Sequence, residues 1–261
     1  MLTFVLLASP FALLPSQLNQ LPYEAASAIS FVANIYYWQN SGYFDPVASE
    51  FLLLHTWSLG VEEQFYVLAP LILIFLHRSA PKLVGQTLFI LVILSFVASI
   101  FLTARMPAVA FYLLPTRAWE LGVGALLAAG ALHSAPIQRF NEFLAFAGLA
   151  LIAGSIFLIS GDSAFPGYVA AFPVLGTALV IGASQGTLVG RILSARPFVG
   201  IGLISYSLYL WHWPILVFGN LTGIITSGED RALAVALSLV AAYFSWRFIE
   251  IPFRKRQGVL T

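Results

Sequence analysis

The sequence predicts an all-α fold: a polytopic transmembrane helix bundle of about seven to eight spans plus an interfacial helix. Three observations lead there. Apolar runs of spanning length recur between about Leu52 and Phe248. Hydrophobic residues make up 60% of the chain and charged residues 9%, with a mean hydropathy of +0.91, whereas soluble domains carry roughly 25% charged residues. Lys and Arg alternate between loops in step with the runs, as the positive-inside rule requires of a multi-pass chain. Lipid offers peptide groups no partners, so each run closes its hydrogen bonds as helix.

Met1 to Leu14 is apolar from its first residue, lacks the basic start and small-residue cleavage site of a signal peptide, and is short of the roughly 20 residues of a span. It reads as the end of a helix. Leu21 to Trp38 mixes apolar residues with Glu24, Ser27, Ser30 and Asn34, which suits an interfacial or re-entrant helix. Gln39 to Ala48 is a turn-rich loop by its Gly, Pro, Asn and Asp content. Seven spans follow, at about Leu52–Leu76, Leu83–Ala104, Ala108–Ala131, Phe143–Ser160, Tyr168–Ile181, Val199–Phe218 and Ala232–Phe248. Arg78, Lys82, Arg139, Arg191, Arg196, Arg254, Lys255 and Arg256 fall on one side of this arrangement, and Arg105 and Arg231 on the other. Eight against two places the C-terminus in the cytoplasm and His55 on the opposite side.

Zero cysteines exclude disulfides, thiolate metal sites and a thiol nucleophile. The four histidines, His55, His77, His133 and His212, are too scattered for a metal cluster, and a net charge of +1 gives no basic patch for nucleic acid. No metal or resident cofactor is expected.

Chemistry concentrates inside the spans. Glu62 and Glu63 stand together in HTWSLGVEEQFYVLAPLILIFL, His55 to Leu76, and an intramembrane acid costs about 2.5–3.5 kcal/mol, so it marks function by default. His55, Ser58 and Glu62 share one helix face, while Glu63 is turned about 100° from it. Arg117 and Glu120, three apart, can pair; Glu62, Glu63 or an anionic ligand are the alternative partners for Arg117. Ser205, Tyr209 and His212 align on a third polar face, and Pro214 deprives the Leu210 carbonyl of its helical donor. Each feature also has a packing explanation: a buried ion-pair network for the charges, an aromatic belt for Tyr206, Tyr209, Trp211 and Trp213, interfacial hydrogen bonding for His55 and His212, and a leaflet anchor for Arg254 to Arg256.

Several segments together resemble the integral membrane acyltransferase 3 family. They are NIYYWQNSGYFDP, Asn34 to Pro46; LLHTWSLGVEEQFYVLAPLIL, Leu53 to Leu73; FYLLPTRAWELGVGALLA, Phe111 to Ala128; ISYSLYLWHWPILVF, Ile204 to Phe218; and SWRFIEIPFRKR, Ser245 to Arg256. The resemblance implies transfer of an acyl group, usually acetyl, from cytoplasmic acyl-CoA to a hydroxyl of an extracytoplasmic glycan such as lipopolysaccharide O-antigen, exopolysaccharide or peptidoglycan, in the bacterial inner membrane. Such a reaction needs a base for the hydroxyl and a cation or donor for the oxyanion. The candidate catalytic residues are Glu62, Glu63, Arg117, Glu120 and His212, and the candidate substrate-binding residues are His55, Tyr209 and Trp211.

Family members begin with further helices, one bearing a histidine regarded as the base, and with an arginine-rich cytoplasmic motif associated with the acyl-CoA. None is found in this sequence. The expectation is therefore an acyltransferase domain over residues 1–256 that lacks its N-terminal helices, with a cytoplasmic tail at 257–261. Its expected partners are membrane lipid, acyl-CoA, the glycan acceptor and the missing helices as a separate polypeptide. Two other functions stay open: a non-catalytic remnant or assembly partner, and a proton-coupled transporter, although no repeat of the spans is visible.

Overall fold

The computed structural model of the chain describes residues 1–40, 51–129, 140–161 and 163–257. Most of the expected Gln39–Ala48 loop, together with His133, Arg139, Asp162 and the tail from 258, lies outside the described residues, as do the side chains of Lys255 and Arg256. Every regular element among the described residues is helical: α1 Leu2–Ala12, α2 Pro15–Ile29, α3 Ala33–Gln39, α4 Thr56–Ser79, α5 Val84–Thr103, α6 Pro107–Tyr112, α7 Leu114–Ala128, α8 Asn141–Leu158, α9 Ala171–Ala183, α10 Leu188–Leu193, α11 Arg196–Leu221, α12 Gly228–Ser245 and α13 Ile251–Gln257. A 3-10 turn, Pro81–Leu83, precedes α5, and a π-helical turn, Trp246–Glu250, joins α12 to α13.

The all-α membrane bundle is as the sequence predicts. Among the described residues five helices are long and apolar enough to cross a membrane: α4, α5 with its 3-10 turn, α8, α11, and α12 continued to Arg254. The expected Ala108–Ala131 span is broken at Leu113, whose backbone is extended at φ −94° and ψ 142°. Pro115, in the first turn of α7, has no N–H to continue the helix from α6. The Thr116 hydroxyl takes up the orphaned end of α6, lying 3.0 Å from the Ala110 carbonyl and 2.8 Å from that of Leu113. The Leu21–Trp38 helix is also two pieces, since Phe31 between α2 and α3 takes a left-handed φ of 55°. The Tyr168–Ile181 run starts its helix only at Ala171 and gives a shorter apolar element.

The chain divides into two units, residues 1–59 with 196–261, and residues 60–195. In the first, α11 and α12 pack side by side. The buried Ala234, Ser238 and Ala242 of α12 repeat every four residues, a small-residue stripe that lets helix backbones approach closely. Val5, Leu21, Ala25, Leu52, Leu53 and Val217 form its apolar core. At the start of α12, Ser227 and Asp230 make a reciprocal capping box.

In the second unit α8 and α9 make the closest pairing. Gly148 and Gly176 face each other there, and a Cβ on Gly148 would lie 2.7 Å from the Gly176 carbonyl oxygen. The α5–α7 pair is joined through Ser95, whose hydroxyl donates to the Pro115 carbonyl at 2.7 Å and accepts from the Trp119 amide at 3.0 Å.

Candidate functional site

The first unit gathers its polar residues around the turn Phe51–His55, which leads into α4. On α11, Tyr209, His212 and Trp213 are spaced at i, i+3 and i+4 and so share a face. The Tyr209 hydroxyl donates to the His55 carbonyl. Its single proton being used there, the Ser58 hydroxyl is the donor in the 3.0 Å contact between Ser58 and Tyr209. The Trp213 indole donates to the Phe51 carbonyl at 2.9 Å, and Thr56 Oγ1 donates to the Leu53 carbonyl at 2.7 Å.

A carboxylate completes this clamp. Glu24 of α2 is 3% exposed and its Oε2 accepts from the Leu53 amide at 2.9 Å and from the Tyr37 hydroxyl at 3.0 Å. Burial pushes the Glu24 carboxyl up to about 7, against the opposing pull of the Leu53 and Tyr37 donors. The Tyr37 phenol is raised as well, first by burial and then by the Glu24 charge. Backbone groups at positions 51, 53 and 55 are thus held by side chains from α2, α4 and α11.

What the clamp presents is an imidazole. His55 is 7% exposed, and neither ring nitrogen makes a hydrogen bond of ordinary geometry; the Leu210 carbonyl, released by Pro214, is the backbone acceptor beside it. The ring of His212 lies 5.8 Å away, edge to face, and that of Tyr209 5.2 Å away. His212 Nδ1 is 2.8 Å from the Tyr209 carbonyl. A carbonyl can only accept, so Nδ1 carries the proton and Nε2 is the acceptor of the neutral ring. His55, Tyr209 and His212 are therefore brought together as a cluster. Trp211, about 200° around the helix from Tyr209, instead packs its ring 5.3 Å from Phe4. Ser205 is exposed, donates to the Gly202 carbonyl at 2.8 Å and takes no part.

The other candidates belong to the second unit. Arg117 pairs with Glu120 at 2.9 Å, with side-chain exposures of 13% and 21%. The guanidinium also lies 5.3 Å from the ring centre of Phe165 and 5.8 Å from that of Phe111, within cation–π range. Glu62 and Glu63 are half-buried on α4.

The model of the acyltransferase domain family matches residues 5–249. The chain belongs to this family. O-acetyltransferase OatA of Staphylococcus aureus is 35% identical over 275 residues, covering 98% of this chain and 44% of the relative. Peptidoglycan O-acetyltransferase OatA of Listeria monocytogenes is 30% identical over 263 residues, 92% of this chain and 42% of the relative. A putative membrane-bound transacylase, BcsY of Komagataeibacter xylinus, is 28% identical over 228 residues, 87% of this chain and 58% of the relative. The acyltransferase domain chain thus spans less than half the length of the two OatA relatives. No solved structure matches it.

Within this acyltransferase domain, sequence reasoning missed Glu24 and Trp213 as parts of the His55 cluster, while Ser58 was already placed on the His55 face. Trp213 had a signal, the i, i+4 spacing from Tyr209. Glu24 had a weaker one: Leu21, Ala25 and Ala28, at i−3, i+1 and i+4, are all buried, which puts the acid on the buried face of α2.

Proposed function

We propose that this acyltransferase is a membrane O-acyltransferase, acting as an O-acetyltransferase, that moves an acyl group from acyl-CoA to a hydroxyl of a cell-envelope glycan. The name of the Listeria monocytogenes relative, peptidoglycan O-acetyltransferase OatA, favours peptidoglycan over lipopolysaccharide or exopolysaccharide as that glycan. One observation carries the reading. A buried imidazole without regular hydrogen bonds, His55, is pinned through its own backbone beside a second imidazole, His212, whose tautomer is set by the Tyr209 carbonyl. That is what binding and deprotonating a hydroxyl requires.

In this reading His55 and Tyr209 hold the acceptor and His212 Nε2 takes its proton. The hydroxyl oxygen bonds to the thioester carbonyl carbon, the carbon–sulfur bond breaks, and the proton passes from His212 to the departing thiolate. Roles for Arg117, as the cation that stabilises negative charge, and for Glu62, Glu63 and Glu120, as proton-holding carboxylates, rest on residue type. Trp211, turned away toward Phe4, is left without a direct role in holding the acceptor. The protein is a multi-pass membrane protein; we place it in the bacterial inner membrane with a cytoplasmic C-terminus, from the alternation of Lys and Arg between its loops.

The test measures base-released acetate from envelope glycan in a host without its own O-acetyltransferase. The chain is expressed alone and beside the N-terminal helices of a relative as a separate polypeptide. The reading predicts glycan acetate in at least one arm, reduced by about 10²-fold or more in His212→Gln. No acetate in either arm, or acetate unchanged by the substitution, overturns it.

A further inference from the structure

The second unit holds an apolar groove of about 440 Å³, walled by α4, α5 and α7. Its floor is tight: a Cβ on Gly122 of α7 would lie 2.6 Å from Val92 Cγ2 of α5. Its outer wall is not, since α4 packs closely against neither neighbour among the described residues. The polar lining residue is Ser95, and its hydroxyl is already engaged by the Pro115 carbonyl and the Trp119 amide. The groove therefore offers an occupant hydrocarbon contacts and no free hydrogen bond.

The length of the groove and what lies beyond it identify the occupant. The lining runs from Leu88 to Ala98 on α5 and from Leu114 to Ala125 on α7, about 15–17 Å at 1.5 Å per residue. That is half of a hydrocarbon core of about 30 Å, the depth of one leaflet. Past the end marked by Leu73 and Leu88 stand His77 and Arg78 in the last turn of α4 and Lys82 in the 3-10 turn, all exposed. Leu73 precedes Arg78 by five residues, about 8 Å along a helix, the offset of a lipid phosphate from the top of its chains.

We infer that this groove is a binding site for an anionic phospholipid, its acyl chain lying between α4 and the α5–α7 pair and its phosphate facing Arg78 and Lys82. The site holds a bilayer lipid as a structural partner of the second unit. It is independent of the acyl-transfer reading and fails or stands without it.

The experiment uses the full chain in phosphatidylcholine vesicles doped with phosphatidylglycerol carrying a photoreactive acyl chain, with a phosphatidylcholine probe of the same chain as control. Adducts are mapped by peptide mass spectrometry. The anionic probe is expected to label groove residues of α4, α5 and α7 in excess over the control. Arg78→Gln and Lys82→Gln should each lower that labelling by about fivefold, the effect of one basic residue at an anionic surface. Both substitutions are on exposed residues and leave the fold intact. Ala118→Leu, which fills the groove from α7, should lower labelling by both probes, and Gly124→Leu, at an exposed α7 position with nothing within 4 Å of its Cβ, should lower neither. Equal labelling by the two probes means an ordinary lipid annulus and overturns the inference. Absence of groove adducts means that something other than lipid, a further polypeptide helix included, fills the slot, and overturns it too.

Discussion

The Leu53 amide donates to Glu24 Oε2 across 2.9 Å, so a carboxylate on α2 fixes the backbone two residues ahead of His55. The clamp is pH-dependent, because the buried carboxyl titrates near 7 in the folded chain and near its ordinary 4.5 once unfolded. Below about 4.5 it is protonated in both states and burial costs it no charge. As pH rises from there through about 7 the unfolded chain ionises first, and this contribution to stability is lost. In detergent, the unfolding midpoint of the wild type is expected to fall relative to that of Glu24→Gln between about pH 5 and pH 8. A difference that stays flat, or that rises with pH, would show that Glu24 does not titrate in this way. Glu24→Ala, which strands the Leu53 N–H and the Tyr37 hydroxyl, should cost about 1–3 kcal/mol at any pH.

Tyr209 links two functions in one hydroxyl, donating to the His55 carbonyl and accepting from Ser58. Tyr209→Phe keeps the ring beside His55 and removes both bonds. Destabilisation of about 1–3 kcal/mol is expected from the stranded groups, with a loss of glycan O-acetylation larger than that of Ser58→Ala, which removes one bond only. Equal activity in Tyr209→Phe and wild type would take the hydroxyl out of the site.

How much of this was legible beforehand follows from where each partner lies. Tyr209 and His212 could be placed on one face because helix spacing is a local property of the chain. His55 could be placed near the head of its helix, one residue before the observed start at Thr56. The clamp could not be read, because Glu24 bonds to a backbone amide 29 positions away and Trp213 to a carbonyl 162 positions away, and a main-chain partner leaves no mark in residue types. The break at Leu113 was legible in principle from Pro115, but hydropathy across LLPTRAWELGVGALLA is continuous and masked it. Arg117 and Glu120 were legible as a pair through their i, i+3 spacing. The rings of Phe111 and Phe165 beside the guanidinium were not, since Phe165 comes from a separate segment.

Gly148 and Gly176 set the spacing of α8 and α9. In Gly148→Ala the new Cβ meets the Gly176 carbonyl oxygen at 2.7 Å and Leu179 Cβ at 2.9 Å, and both belong to or sit close to backbone that cannot swing aside. Overpacking of this kind costs about 1–3 kcal/mol. Gly124→Ala is the control, since nothing lies within 4 Å of its added Cβ, and it should stabilise α7 by up to about 1 kcal/mol through helix propensity. Thermal melts of the two variants should move in opposite directions; movement in the same direction would mean that the α8–α9 contact is looser than described.

The Arg117–Glu120 pair allows structure and chemistry to be separated. Arg117→Ala leaves the half-buried Glu120 carboxylate without its 2.9 Å partner and should destabilise the protein, by less than the roughly 3–5 kcal/mol of a fully buried pair. Lost activity in that variant alone would therefore say little about catalysis. Replacing both residues, as Arg117→Met with Glu120→Leu, removes the charges together, and such swaps are often neutral or stabilising by about 1–4 kcal/mol. The double variant should keep its unfolding midpoint. If Arg117 stabilises negative charge during acyl transfer, glycan O-acetylation should vanish in this well-folded protein and stay absent in Arg117→Met alone. Arg117→Lys should recover only part of it, because a compact ammonium cannot reproduce the planar guanidinium beside Phe111 and Phe165. Full O-acetylation in the folded double variant would reduce the pair to a packing device of the second unit and leave the chemistry to the His55 and His212 cluster.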